Sequence, residues 1–122
     1  MNPWLIASGL LGALCTAGHA FSGRAIYFLP IQSQLVNAGH SHIFSGMWHL
    51  ITVNFALSSL ALLAAGTMGR SDFAVPLIAA QFLCYAAVYF FQSVKLGSSL
   101  KLFQWTLFAA VGMLAAIGAV LP

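Results

Sequence analysis

His19 and His49 each stand inside a long apolar run. An imidazole placed there can ligate a metal or haem iron, exchange a proton with a membrane-soluble substrate, or hydrogen-bond a neighbouring helix. At about 1.5 Å of helical rise per residue, His49 falls roughly 9 Å inside the start of its run and His19 roughly 13 Å before the end of the preceding one. If these two runs are antiparallel helices, both rings lie at one depth.

Helical phase groups other side chains with them, since residues three and four apart share a face. Gly9, Gly12, Thr16, His19 and Gly23 form one stripe, with Cys15 a turn before His19. His42, Ser45, His49, Thr52, Ala56 and Ser59 form a second, and Gln81, Tyr85, Val88, Gln92 and Lys95 a third. Lys101, Gln104 and Phe108 share a face of the last run. Arg24, His42, Trp48, Tyr89, Gln92, Gln104 and Trp105 all belong to the half that holds both histidines, whereas the opposite half is mostly Ala, Leu, Val, Ile and Gly.

Four chemistries suit this set. His19 and His49 could ligate a b-type haem as neutral imidazoles, with Arg24 or Lys101 meeting a propionate. Cys15, His19, His49 and Cys84 are the ligand types that hold Zn or Cu(I), although their spacing is not a compact zinc pattern. Trp48, Tyr85, Tyr89 and Trp105 could wall a pocket for a lipid-soluble molecule such as a quinone, with Gln92 and Gln104 orienting it. The plainest reading is that His19 and His49 bond to glutamine, serine or backbone groups and lock helices together in an accessory subunit of a larger membrane complex. His40 and His42 read as solvated or headgroup-facing, and the glycines of the first stripe as a close helix contact.

Absent residues close other routes. No glutamate occurs anywhere, which removes proton-coupled export through a membrane-embedded glutamate. Asp72, the one acidic residue, sits in a turn beside Arg70, where it suits helix capping. No buried acid is available for a Ser/His/Asp triad, and neither a phosphate-binding glycine loop nor HExxH occurs.

The elements that must position these residues follow from composition. Of 122 residues, 61% are hydrophobic and 4% charged, against roughly 25% charged in a soluble domain. A surface facing lipid tails needs no charge, so the bilayer is the expected solvent. With about 20 residues per crossing, the length accommodates one integral membrane domain over residues 1–122. The expected fold is an all-α, up-down-up-down four-helix transmembrane bundle with spans near residues 4–28, 43–65, 73–94 and 100–120. The first span reads as retained, because no basic residue precedes it and Leu14 is too large for a lipoprotein-type cleavage site before Cys15. Pro30 is expected to end it, and the composition of residues 66–72 marks a turn.

Arg24, Lys95 and Lys101 flank loops one and three and Arg70 lies opposite, which favours those loops in the cytoplasm of a bacterial inner membrane. Both termini then share the other side, with His19 and His49 pointing inward. The four basic residues are scattered, so nucleic acid is not an expected partner. Membrane lipids are, and abundant small residues favour a homo-oligomer or a subunit of a larger complex. Cys15 and Cys84 read first as small apolar side chains.

His19-Ala20-Phe21-Ser22-Gly23, then Tyr27-Phe28-Leu29-Pro30, then Trp48-His49 resembles the H-x-x-x-G, P, W-H pattern of small four-span bacterial membrane proteins of unassigned activity. The likeness covers the first half of the chain. Phe21-Ser22-Gly23 and Tyr27-Phe28-Leu29-Pro30 are also loosely similar to the first span of the membrane protoporphyrinogen oxidase family. That resemblance implies a haem or porphyrin ligand, although the histidine spacing departs from the family's and its accompanying basic and acidic residues are missing.

Overall fold

The computed structural model describes residues 1–98 and 102–121, and among them every regular element is helical. Helix α1 (Pro3–Gly18) runs without a break into a π-helical segment, His19–Phe28, and then into α2 (Leu29–Gln32). Together they make one rod, Pro3–Gln32. Three further helices follow, α3 (Ala38–Met68), α4 (Ala74–Lys95) and α5 (Gln104–Val120). The first rod, α3 and α4 are each long and apolar enough to cross a membrane; α5, with 17 residues, is shorter.

Several boundaries differ from the sequence expectation for local reasons, among them the end of α3, which continues through residues 66–68 of the expected turn and stops at Met68, where Gly69 takes a left-handed φ of 65°. The first rod continues past Pro30 by two residues, to Gln32. The proline follows a π-helical stretch whose bonds reach back five residues, as Leu29 N–H does to the Arg24 carbonyl, and the rod ends soon after the donor that the proline lacks. Helix α3 begins at Ala38 because the Asn37 side chain accepts from His40 N–H at 3.2 Å and caps it. His40 and His42 are therefore helical. The expected start of the fourth span, Leu100 and Lys101, lies outside the described residues.

Small residues set the packing. A Cβ on Gly9 would stand 2.9 Å from the Leu63 backbone nitrogen, and one on Gly66 2.8 Å from that of Ile6. Gly12 rests on Ser59, and Gly23 on the indole of Trp48. The partners of α1 and its π-helical extension thus run down α3, from Gly66 to Trp48, as the first rod is ascended. On its other side α1 meets α5, through Leu5 against Gly118 and a 2.8 Å hydrogen bond from Ser8 Oγ to the Val111 carbonyl. Helix α5 in turn packs on α4, where Gly112 faces Leu83. The core is formed by Leu5, Leu62, Val75, Phe82 and Val111, all essentially inaccessible.

Asn2 closes one end. Its side-chain oxygen accepts from Trp4 and Leu5 N–H, capping α1, while its Nδ2 donates to the carbonyls of Gly118 and Leu121 at 2.8 Å each. Its backbone N–H donates to the Gly66 carbonyl at 2.7 Å. A single buried residue therefore ties α1, α3 and α5 together.

Candidate functional site

The π-helical segment opens with His19, whose backbone N–H reaches the carbonyls of both Cys15 and Thr16. Short π-helical turns inside α-helices are frequently associated with functional sites. This one is ten residues long and carries His19, Gly23, Arg24 and Phe28. Because Gly23 has no side chain, Trp48 of α3 can lie against the segment. The half-buried His19 ring stacks on Trp48 with centroids 4.0 Å apart and meets Phe55 edge-on at 5.6 Å. Its Nε2 stands 3.4 Å from the Trp48 carbonyl, which already accepts from Thr52 Oγ1 at 3.1 Å. Nδ1 has no hydrogen-bond partner among the described residues.

His49 differs from the expectation of an inward ring, since it is exposed. The buried stripe of α3 runs through Gly66, Leu62, Ser59 and Phe55. Steps of three and four residues carry it back to Thr52 and Trp48, leaving His49 about 100° round the helix. The one ring beside it is Phe28, at 6.4 Å, and it makes no hydrogen bond among the described residues. The two imidazoles share a neighbourhood without touching. The contact path from His19 to His49 passes through the rings of Trp48 and Phe28, which are 5.3 Å apart.

This arrangement does not provide the facing pair of histidines that a haem needs within one chain. The soft-metal set is not assembled either. Cys15 is buried and Cys84 exposed, both are free thiols, and no three His, Cys, Asp or Glu side chains converge among the described residues. Arg24 and Gln92 are exposed, and their side chains make no hydrogen bond or ion pair among the described residues. Lys101 lies outside those residues.

The other expected wall residues form two groups. Tyr85 joins an aromatic cluster with Phe55, Phe82 and Phe108, and Tyr89 stacks edge-on against Phe108 at 5.5 Å. Near the start of α5, Trp105 packs edge-on against Phe90 at 5.3 Å, and Gln104 Nε2 donates to the Tyr27 hydroxyl at 3.2 Å. Gln104 Oε1 is buried without a partner.

Sequence reasoning missed Asn54 and Ser58, which join Gln81 and Tyr85 in a side-chain network. Asn54 Oδ1 accepts from Gln81 Nε2 at 2.9 Å and from the Tyr85 hydroxyl at 3.1 Å, and Gln81 Nε2 also lies 3.3 Å from Ser58 Oγ. These bonds cross between α3 and α4. The four-residue spacings Asn54 to Ser58 and Gln81 to Tyr85 were readable, but periodicity within one helix does not say which stripe another helix faces.

A separate apolar groove of about 380 Å³ runs along α1 and α3, lined chiefly by Ala13, Ala17, Ala20, Ala56, Leu60 and Leu63. No family model, curated protein or solved structure matches the chain.

Proposed function

We propose that the chain is a small integral membrane protein, an up-down-up-down bundle of four transmembrane helices, acting as an accessory or cofactor-binding subunit of a membrane complex. Its histidine-bearing half is the binding half. The observation that carries this reading is the outward imidazole of His49, which lacks a hydrogen bond on an apolar helix beside His19. At about 16 Å from the start of α3, such a ring faces hydrocarbon unless a ligand or a partner subunit covers it, and polar groups left bare in hydrocarbon are costly.

The outward placement favours a centre completed from outside the chain. His49 is the contact point, and His19, braced by Trp48, is a second nitrogen donor reached through the π-helical segment. A haem, or less readily Cu or Zn, would take its remaining ligands from elsewhere. A membrane enzyme or binding protein for a quinone-like or porphyrin-like molecule is the second reading. It is favoured by the exposed Tyr27 hydroxyl, which accepts from Gln104 Nε2 and so keeps its own proton free to donate to a carbonyl.

The test is purification from native membranes in mild detergent, with an absorption spectrum, metal analysis and mass spectrometry of co-purifying material. A bound chromophore, metal or subunit retained by wild type and lost in His49→Ala, with helicity unchanged, is the expected result. Protein free of metal, chromophore and partner, behaving identically in His19→Ala and His49→Ala, overturns it. A quinone lost selectively in Tyr27→Phe favours the second reading.

A further inference from the structure

The bonds that cross from α3 to α4 leave two groups unused. Asn54 Oδ1 takes both incoming bonds, so the Asn54 Nδ2 donor has none, and Gln81 uses Nε2, so its Oε1 acceptor has none. Neither atom is sealed inside the protein, since Gln104 Oε1 is the sole buried unpaired side-chain atom among the described residues. Turning both amides over exchanges their nitrogens and oxygens but again leaves one donor and one acceptor, so the result does not depend on amide assignment.

Depth adds a second observation. Asn54 lies at the middle of α3 and Gln81 near the middle of α4, by their positions in Ala38–Met68 and Ala74–Lys95. In the membrane orientation proposed above, on which this inference rests, both belong near the bilayer midplane, where no water satisfies them.

We infer that this face binds a second copy of the chain, with Asn54 of each copy donating to Gln81 of the other across a two-fold axis along the membrane normal. A donor and an acceptor at one depth are self-complementary under such an axis, because each finds its counterpart in the symmetric copy. The adjoining surface permits close approach: Ala80, Cys84 and Ala87 are exposed on α4 and Ala61 on α3, all of them small. A ligand would have to supply both a donor and an acceptor at this spacing, whereas a second copy supplies them by symmetry.

Reciprocity gives the experiment its logic. Full-length protein labelled with donor or acceptor dyes is reconstituted in dilute lipid vesicles, and association is measured by energy transfer. Wild type is expected to be dimeric. Asn54→Leu and Gln81→Leu each remove both intermolecular bonds, so each weakens association about 8-fold, at about 2.8-fold per bond, and the double variant is no weaker than either single one. An equimolar mixture of the two single variants keeps one bond in the mixed dimer, which associates about 3-fold more tightly than either variant alone. Tyr85→Phe, which loses only a bond within the chain, stays dimeric and controls for damage to the bundle.

A membrane-embedded monomer, a dimer indifferent to Asn54 and Gln81, or a small molecule bound at these residues in a monomer overturns the dimer alone. Extraction of the chain from vesicles by alkaline carbonate overturns the membrane reading instead.

Discussion

Single side chains carry unusually specific tasks in this chain, and Asn2 is the clearest. It caps α1 and holds two carbonyls at the end of α5. Asn2→Ala removes the cap and strands buried acceptors, at a cost of about 2–3 kcal/mol, which reversible unfolding in mixed micelles should register. Trp48 is the corresponding brace at the other end. Trp48→Ala removes the face on which His19 stacks and opens a void against Gly23, and the expected loss is about 3 kcal/mol. A shift of the His19 ring resonances in the NMR spectrum would report the freed imidazole. The sequence singled out His19, Trp48 and His49 as neighbours in depth, and that much was legible from helical rise. Which way His49 turns was not, because the buried stripe of α3 runs through Phe55, Ser59 and Leu62, which puts Trp48 rather than His49 in line with it.

Among the elements, the first rod departs furthest from a plain helix. Nothing in the composition of His19–Phe28 signals a π-helix, since propensities do not separate one helix type from another. The wider turn is a property of the assembled packing, with Gly23 against Trp48 and Phe28 against Phe44. Deleting Ala20 should return the segment to α geometry and shift Phe28 out of register with Phe44. Total helicity by circular dichroism is expected to hold while unfolding shifts to milder denaturant. The glycine contact of α1, by contrast, was readable from spacing alone. Gly9→Val drives a side chain into the backbone at Leu63, a fixed obstacle, and about 1–3 kcal/mol of overpacking strain is expected in the same unfolding assay.

For the whole molecule, composition alone announced an all-helical, apolar protein, and the helices have that character. The order of packing was less visible. Helix α1 lies between α3 and α5, so α3 and α4, neighbours in sequence, meet through the long side chains of Asn54, Gln81 and Tyr85 rather than backbone to backbone. In the proposed orientation, cysteines placed at Ser33 and Ser98 should react with an impermeant maleimide from the cytoplasmic face of inverted vesicles, and one at Ser71 only from the opposite face. Labelling of all three from one side would contradict the alternating arrangement.

The helices are also unequal in height. At about 1.5 Å per residue, α3 with its 31 residues is about 46 Å tall, while α5 with its 17 is about 26 Å. A hydrocarbon layer of about 30 Å is overtopped by the first and not filled by the second. In the proposed membrane orientation, lipids touching α5 would shorten or tilt their tails, while those along α3 would not. In a bilayer the protein would act as a wedge, dimpling the membrane on one flank and drawn toward thinner regions.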